Sequence, residues 1–142
     1  MKALNTVKIQ FPSRSINEGF ARSTIAAFAA QADPTVDEIA DLKTAVSEAV
    51  TNCIVHAYPD RIGMVTITAS FYEGNLLRVV VADKGVGIPD VKKAMEPMYT
   101  TGGPERAGLG FAVMESFTDR VRVTSRVGKG TRVTMSKKLG TR

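Results

Sequence analysis

The sequence has few of the residues that build covalent or metal-centred chemistry. Its 142 residues include one cysteine, one histidine and no tryptophan. A single cysteine excludes an internal disulfide, and a single histidine excludes a metal site made of several histidines. Cys53 falls on the apolar side of a predicted helix, which is more typical of a small core residue than of a reactive thiol. His56, near the end of that helix, is predicted to be a packing and hydrogen-bonding residue.

Long apolar runs are absent as well. No segment approaches the roughly 18–20 apolar residues that a membrane span requires. The N-terminal stretch MKALNTVKIQF alternates polar and apolar residues and lacks the continuous apolar segment of a signal peptide. These features predict a cytoplasmic protein with no membrane partner.

The overall composition is that of a globular protein, with 44% hydrophobic and 23% charged residues. A chain of this length can bury one core but is short for two. The sequence contains no repeat, low-complexity tract or linker. We therefore predict a single domain over residues 1–142.

Positive charge is concentrated at the C-terminal end, although the formal net charge is only +5. From residue 120 onward there is no acidic residue and there are eight basic ones, namely Arg120, Arg122, Arg126, Lys129, Arg132, Lys137, Lys138 and Arg142. Such a segment can meet nucleic acid or an acidic protein, or can be the solvated face of a hairpin. Because no aromatic residue is interleaved to stack on bases, we prefer the solvated face and expect no direct nucleic-acid binding.

Helix and strand signals follow one another along the whole chain. TVKIQFPS predicts a first strand. SINE, Ser15 to Glu18, fits a capping box and opens a helix through about Ala30. TVDE, Thr35 to Glu38, repeats the pattern and opens a longer helix that ends near Tyr58. The longer helix has a core-facing stripe at helical spacing, made of Ile39, Leu42, Val46, Ala49, Val50, Cys53 and Ala57.

The second half of the chain predicts two hairpins with helices between them. MVTITASFYEGNLLRVVVADKG predicts two antiparallel strands around the turn EGN. A short helix near Val91 to Met95, a helix over LGFAVMESFTD and a final hairpin over RVRVTSRVGKGTRVTMSKK follow. This order predicts an α+β two-layer sandwich, with a mixed sheet covered by helices on one face.

Glu48 and Asn52 form a first candidate site. They are four residues apart on the longer helix, so they lie within roughly 40° of each other on one face, away from the core stripe. An amide oxygen can ligate a hard cation such as Mg²⁺, and a carboxylate can accept a proton or orient a water. The alternative is an ordinary polar helix surface.

The segment DKGVGI forms a second candidate site. Because residues 79–81 are valines, Asp83 is expected to leave a buried strand partly desolvated, where a carboxylate needs hydrogen-bond donors. The exocyclic amine of adenine is one such donor. Gly85 and Gly87 allow the backbone to approach a flat ring or to turn sharply. The alternative is a plain β-turn.

The segment TTGGPERAGLGF leads directly into a helix and forms a third candidate site. Backbone amides at a helix N-terminus, with Gly108 and Gly110 permitting close approach, can cradle phosphates. Thr100 and Thr101 add hydroxyls, and Arg106 adds a positive charge. The segment lacks the Walker A pattern and the surroundings of a Rossmann fingerprint. The alternative is a mobile loop that binds nothing.

Taken together and in this order, these segments resemble a known family. EAVTN, DKGVGIPD, AGLGF and GKGTRV resemble the N, G1, G2 and G3 boxes of the Bergerat-fold ATP-binding domain shared by DNA gyrase and histidine kinases. The resemblance is strongest to the bacterial anti-sigma serine kinases, in particular the anti-sigma F factors of the sporulation switch. NEGFAR, DPTVDEIADLKTAVSEAVTN and HAY also match, so the resemblance covers most of the chain.

The resemblance implies a role for each matching residue. Glu48 stands where the family has the general base that activates a serine hydroxyl of the substrate protein, and Asn52 stands at the Mg²⁺ ligand. Asp83, with Gly85 and Gly87 in the same box, stands in the adenine pocket. Thr131 matches a threonine near the base.

Other matching positions fall in the lid and at partner contacts. The lid around the phosphates has four such positions, Thr100, Thr101, Gly108 and Gly110. Arg106 stands at an arginine near the γ-phosphate. Arg22 and Glu105 stand at positions that the family uses for contacts with a sigma factor.

The function implied by the resemblance is a dual one. We expect a homodimer that binds and inhibits a sporulation-type sigma factor. We also expect a serine/threonine protein kinase that uses ATP and Mg²⁺ to phosphorylate a serine of an anti-anti-sigma factor, leaving ADP. Two alternatives stay open: a nucleotide-gated partner-switching module without kinase activity, and an anti-sigma kinase of another, stress-related regulon.

Overall fold

The structure, a computed structural model, describes residues 2–96 and 106–140. Strands run over Asn5–Pro12 (β1), Met64–Tyr72 (β2), Leu76–Asp83 (β3), Arg120–Arg126 (β4) and Gly130–Lys138 (β5). The α-helices run over Asn17–Ala29 (α1), Val36–Asn52 (α2), Val91–Ala94 (α3) and Arg106–Phe117 (α4). Every predicted strand and helix is present, and α4 begins earlier than predicted. Within the described ranges, no helix is long and apolar enough to cross a membrane.

The five strands form one sheet in the order β1-β2-β3-β5-β4. All four pairings are antiparallel, so the prediction of a mixed sheet is wrong. The cause is the connection after β3. The chain crosses to the far edge of the sheet, forms β4, and returns as β5 between β4 and β3. β3 and β4 run in the same direction but are not neighbours, so no parallel pair arises.

The helices cover one face of the sheet, as predicted. Alternate strand residues point toward the helices and are buried, for example Ile67, Val79 and Val81. α2 packs against both α1 and α4. The buried apolar side chains of the strands and helices form one cluster, which gives the expected two-layer α+β sandwich.

α2 follows its sequence signals closely. Thr35 Oγ1 accepts from the backbone N–H of Glu38 at 3.1 Å, and Glu38 Oε1 accepts from the backbone N–H of Thr35 at 2.8 Å. This is the predicted capping box. The predicted stripe is buried, except that Ile39 is half-buried. Beyond α2 the chain continues as a π-turn over Cys53–Ala57, so the helical segment ends where predicted. Such widened turns are frequent at functional sites.

α1 begins without the predicted cap. Its N-cap residue is Ile16 and makes no side-chain cap hydrogen bond, so the capping box predicted over Ser15 to Glu18 is wrong. The carboxylate of Glu18 accepts instead from Arg22 Nη1 at 3.0 and 2.8 Å and from Ser47 Oγ at 3.0 Å. A guanidinium binds a carboxylate more strongly than a neutral amide does. The bond from Ser47 also joins α1 to α2.

The turn between β2 and β3 delivers Asp83 to the end of the sheet. Gly74 has a φ of 81° and Asn75 a φ of 58°, both in the left-handed region that glycine and asparagine tolerate best. This turn sets a register in which Val65 pairs with Asp83. Asp83 therefore leaves β3 beside the end of α2, within reach of Cys53.

Candidate functional site

A cavity of about 440 Å³ lies between the end of α2, the loop after β3, α4 and the β4–β5 hairpin. Four of the predicted site residues line it, namely Asn52, Asp83, Gly87 and Thr131. Much of the remaining wall is apolar and includes Ala49, Ile88, Phe111 and Val133. An apolar cavity with a few convergent polar groups is the usual form of a small-molecule site.

The protein itself holds the carboxylate of Asp83. Oδ1 accepts from the backbone N–H groups of Gly85 at 2.9 Å and Thr131 at 3.2 Å. Oδ2 accepts from the thiol of Cys53 at 3.5 Å. The chain thus supplies donors that we expected from a ligand, and it fixes the orientation of the carboxylate. Oδ2 retains acceptor capacity at the cavity wall, because a carboxylate oxygen can accept more than one hydrogen bond.

Cys53 is buried, as predicted for a small core residue. Burial first, and then the charge of Asp83 and the hydrogen bond to it, raise the pKa of the thiol well above its ordinary value. The thiol therefore stays protonated at neutral pH and donates to Asp83, which makes it a poor nucleophile. The sequence did not indicate that Cys53 also lines the cavity.

The hydroxyls of Ser125 and Thr131 lie 2.7 Å apart. Ser125 Oγ accepts from the backbone N–H of Ile88 at 2.8 Å and donates to the carbonyl of Gly130 at 3.0 Å. Because a hydroxyl has one hydrogen, the Thr131 hydroxyl must be the donor in its bond to Ser125. Thr131 Oγ1 then offers lone pairs, and no hydrogen, to the cavity. No sequence motif pointed to Ser125, whose partner Ile88 is 37 residues away.

The two glycines of DKGVG are required by close contacts within the protein. A Cβ on Gly85 would overlap the carbonyl oxygen of Ala57, which also accepts from the backbone N–H of Val86 at 3.0 Å. Gly87 has a φ of +79°, and a Cβ there would overlap the carbonyl oxygen of Arg126. The loop after β3 is thereby held between the end of α2 and the tip of the β4–β5 hairpin. Of the two glycines, Gly87 lines the cavity and Gly85 lies behind it.

Glu48 and Asn52 both face Gly110 of α4. A Cβ built on Gly110 would lie 3.2 Å from Asn52 Oδ1 and 3.3 Å from Glu48 Oε2. The fold therefore brings this predicted pair to the backbone of a predicted lid glycine. Asn52 Nδ2 is buried and has no hydrogen-bond partner among residues 2–96 and 106–140. A buried amide without a partner is unusual in proteins, and at a cavity wall it is typical of a ligand-binding group.

The residues around Asn52 suit a magnesium ion that is coordinated partly by the phosphates of a bound nucleotide. In the described part of the chain, no three His, Cys, Asp or Glu side chains are grouped closely enough to hold a metal. Mg²⁺ is usually bound by one or two protein oxygens together with phosphates and water. The amide oxygen of Asn52, Oδ1, faces Gly110 and fits that arrangement, whereas the unpartnered Nδ2 is a hydrogen-bond donor and would contact a ligand oxygen instead of the ion.

Tyr58 anchors the residue that follows Asp83, a role that sequence reasoning missed. Its hydroxyl accepts from the backbone N–H of Lys84 at 2.7 Å and donates to the carbonyl of Met64 at 2.7 Å. The available signal was an aromatic residue in HAY, at the end of the helical segment. His56, in the same motif, lines the cavity.

The remaining predicted site residues lie apart from the cavity or at the limit of the described region. Arg106 and Gly108 are in the first turn of α4. The structure does not describe three residues, Thr100, Thr101 and Glu105. Arg22 is on α1, outside the cavity, with its side chain 41% exposed and paired with Glu18.

Comparison with known proteins identifies the family. The family model for the histidine kinase-like ATPase domain matches residues 11–137. The chain is 55% identical over 141 residues to an anti-sigma F factor of Thermoanaerobacter sp., covering 99% of this chain and 98% of that protein. It is 51% identical over 136 residues to an anti-sigma F factor of Clostridium acetobutylicum, covering 95% of this chain and 94% of that one. The chain belongs to the histidine kinase-like ATPase family and, within it, to the anti-sigma F factors.

Solved structures share the fold of this anti-sigma F family member. The RsbU and RsbW domains of Rv1364c from Mycobacterium tuberculosis match with a TM-score of 0.69 at 19% identity, over 95% of this chain and 32% of that one. The mycobacterial sensor histidine kinase MprB matches with a TM-score of 0.59 at 15% identity, over 92% of this chain and 97% of that one. The fold is therefore the histidine kinase-like ATPase fold that the resemblance implied. Membership of this ATPase family makes the chain a nucleotide-binding protein.

Proposed function

We propose that this anti-sigma F family member transfers the γ-phosphoryl group of ATP to a serine of an anti-anti-sigma factor. In its other role it binds and inhibits a sporulation-type sigma factor, and it acts as a homodimer. The names of its relatives support the sigma-factor role. The observation that carries the nucleotide role is the pair of acceptors at the cavity wall, Asp83 Oδ2 and Thr131 Oγ1.

Two acceptors at one wall favour a base that presents an amine. The exocyclic amine of adenine donates hydrogens, whereas guanine presents a carbonyl oxygen at the corresponding ring position. The guanine oxygen would face the lone pairs of Asp83 and Thr131. Neither acceptor would then receive a hydrogen bond from the base. Apolar residues such as Ile88 and Phe111 line the same cavity and suit the faces of the ring. We therefore expect ATP and ADP to bind at least about tenfold more tightly than GTP.

The phosphates are assigned to the α4 side of the cavity. Backbone N–H groups in the first turn of a helix and the positive end of its dipole favour phosphate, and Arg106 and Gly108 belong to that turn of α4. Thr100 and Thr101, which lie outside the described residues, are proposed to add hydroxyls to the phosphate contacts. Asn52 would hold Mg²⁺, which when bound neutralises charge on the phosphate oxygens.

Glu48 is the proposed general base. Its Oε2 lies 3.3 Å from the position that a Cβ on Gly110 would take, and Asn52 Oδ1 lies 3.2 Å from the same point, so the carboxylate is beside the proposed Mg²⁺ ligand. The attacking serine oxygen forms a bond to the γ-phosphorus as the bond from that phosphorus to the β–γ bridging oxygen breaks, and ADP leaves. Glu48 takes the hydroxyl proton during this step. The guanidinium of Arg106 offsets the negative charge on the transferred group.

The sigma factor is assigned to α1. Arg22 is partly exposed on this helix. Two protruding apolar side chains, Ile16 at 82% and Phe20 at 55% exposure, lie at the same end of the chain segment but on a different side of the helix from Arg22, because a step of two residues rotates the helix by about 200°. Glu105 is assigned to the same contact.

A phosphotransfer assay tests the kinase role. The purified protein is incubated with Mg²⁺, γ-labelled ATP and the recombinant anti-anti-sigma factor of the same organism. Label should appear on one serine of that protein and should disappear when the serine is replaced by alanine. Tight ATP binding without any label would instead favour a nucleotide-gated switch that lacks kinase activity. A pull-down of sigma factors from the native cell decides between a sporulation and a stress regulon.

A further inference from the structure

On the outer face of the sheet, the side opposite the helices, every charged strand residue that points outward is basic. Successive strand residues point to opposite faces, and the pairing register aligns the outward residues of all five strands. Seven basic side chains point outward, namely Lys8, Arg78, Arg120, Arg122, Arg126, Arg132 and Lys138. Asp83, the one acidic residue within the five strands, points to the helix side, where it contacts Cys53.

None of these seven side chains forms an ion pair with a described residue. The ion pairs among the described residues join Arg22 to Glu18 and Lys137 to Asp41. Arg122 and Arg132 are diagonal neighbours on β4 and β5, roughly 7–8 Å apart. Neighbouring like charges repel each other, and a bound anion would remove that repulsion.

The basic face is a product of the fold rather than of the C-terminal run alone. Lys8 joins it from β1 and Arg78 from β3. Lys137, although it belongs to the run, turns to the helix side and donates to the carbonyl of Phe117 at 3.0 Å. A groove of about 580 Å³ opens at one end of this face, and its lining includes Arg126, Lys129, Arg132, Thr66 and Thr124, with Asp83 as the one acidic residue. Cations and hydroxyls are the groups that contact nucleic-acid phosphates.

We propose that the outer face binds the phosphate backbone of a nucleic-acid duplex without reading its sequence. Five strands make a face roughly 20–25 Å across, and a duplex carries about 12–15 phosphate charges over that length. Single strands bind on aromatic platforms. Tyr72, the one aromatic residue that points outward from the five strands, is already covered by Arg78 at 4.7 Å. Among residues 2–96 and 106–140, no helix lies on this face to enter a groove and read bases.

Other occupants fit the face less well. A protein partner needs an exposed apolar centre. The apolar residues that point outward from β3, namely Leu76, Val80 and Ala82, are half-buried, and the exposed Met64 lies at the margin of the face. A second copy of the chain would bring two unneutralised basic faces together. The proposal departs from the expectation of no nucleic-acid contact. That expectation rested on missing aromatic residues, which a duplex backbone does not require.

Fluorescence anisotropy with the full chain and a labelled duplex of about 20 base pairs tests the proposal. We expect micromolar binding at low salt, with equal affinity for two duplexes of unrelated sequence. In a plot of log K against log salt concentration, each phosphate contact should contribute a slope of about −0.9. The double variant Arg122→Glu, Arg132→Glu should raise the dissociation constant at least tenfold. It should also reduce the slope of log K against log salt by the amount expected for about two phosphate contacts. The neutral pair Arg122→Gln with Arg132→Gln should give a smaller loss in the same direction. ATP affinity should be unchanged in both variants.

Arg14→Glu with Lys92→Glu is the matched control, since it changes net charge equally at exposed positions off the sheet. Its effect on duplex binding should stay below about threefold, because distant exposed charges are screened. An equal loss in the control and outer-face variants would overturn the proposal, as would no binding at low salt. If polyglutamate at equal charge concentration displaces the duplex, the outer face binds an acidic protein rather than a duplex. If the protein is a dimer and the Arg122→Glu, Arg132→Glu variant is a monomer, the outer face binds a second copy of the chain.

Discussion

Gly110 of α4 lies so close to Asn52 of α2 that a Cβ at position 110 would stand 3.2 Å from Asn52 Oδ1. In Gly110→Ala the polar ends of Asn52 and Glu48 must move by a few tenths of an ångström. Alanine favours a helix by about 1 kcal/mol over glycine, so the free energy of unfolding should change little. Misplaced groups at a reacting centre slow the reaction, here by about tenfold to a hundredfold. Phosphotransfer rates and a thermal melt check both expectations.

Gly19→Ala on α1 is the matched control for Gly110→Ala. A Cβ there would lie 3.8 Å from Arg22 Nη2, an ordinary van der Waals contact. The control should gain up to about 1 kcal/mol of stability and keep its phosphotransfer rate. An unchanged rate in Gly110→Ala as well would mean that the space beside Asn52 and Glu48 is not used in the reaction.

Asp83→Asn should weaken the binding of ATP and ADP while leaving the fold intact. The asparagine oxygen can keep the bonds from the backbone N–H groups of Gly85 and Thr131. Its amide nitrogen then replaces Oδ2 and presents hydrogens to the amine of the base. The loss of a charged hydrogen bond is about 1.5–3 kcal/mol, or roughly 10- to 150-fold in affinity. Calorimetry measures this directly, and equal affinity in the variant and the parent would refute the adenine assignment.

The thiol of Cys53 should lower stability in alkali. Its pKa in the folded protein is raised above the ordinary value of 9.0, first by burial. Its contribution to stability is therefore complete below about pH 9 and is lost as the pH rises toward the folded-state pKa, by at most about 1.4 kcal/mol per pH unit. Urea unfolding between about pH 7 and pH 10 should show this extra loss in the parent but not in Cys53→Ala. Parallel curves for the two proteins would show that the thiol does not titrate differently on folding.

Local signals in the sequence were enough to predict the elements that carry the site. Thr35 and Glu38 bond within one helical turn, and the turn at Gly74 and Asn75 requires two residues that tolerate a positive φ. Such features depend on neighbours in sequence, so they can be recognised without the fold. The same holds for the one-turn spacing of Glu48 and Asn52.

Other features depend on contacts that no local pattern records. Ser125 acquires its role when the β4–β5 hairpin folds onto the loop after β3 and meets Ile88. The cap predicted at Ser15 is absent because Glu18 bonds to Arg22 and, across the helix pair, to Ser47. The antiparallel sheet likewise follows from where the chain re-enters it after β3.

Phosphotransfer and sigma-factor binding should be separable, with Glu48 serving the first and Arg22 the second. Glu48→Gln keeps the size and hydrogen bonding of the side chain and removes its basicity. Phosphotransfer should fall by about 10²–10⁴, as for the loss of a general base, while ATP binding and sigma capture remain. Wild-type phosphotransfer by this variant would show that Glu48 is not the base.

Arg22→Glu tests the other half, because Arg22 lies on α1 outside the nucleotide cavity. The new carboxylate would face Glu18 one turn away, yet a partly exposed pair of this kind contributes at most about 1 kcal/mol to stability. Sigma capture should therefore be lost while ATP affinity and phosphotransfer persist. Arg22→Gln is the neutral comparison and should lose less sigma binding than the reversal.

The bond from Ser47 to Glu18 connects this site to the helix that carries Glu48. Joint loss of ATP binding and sigma capture in Arg22→Glu would mean that the two functions are not separable.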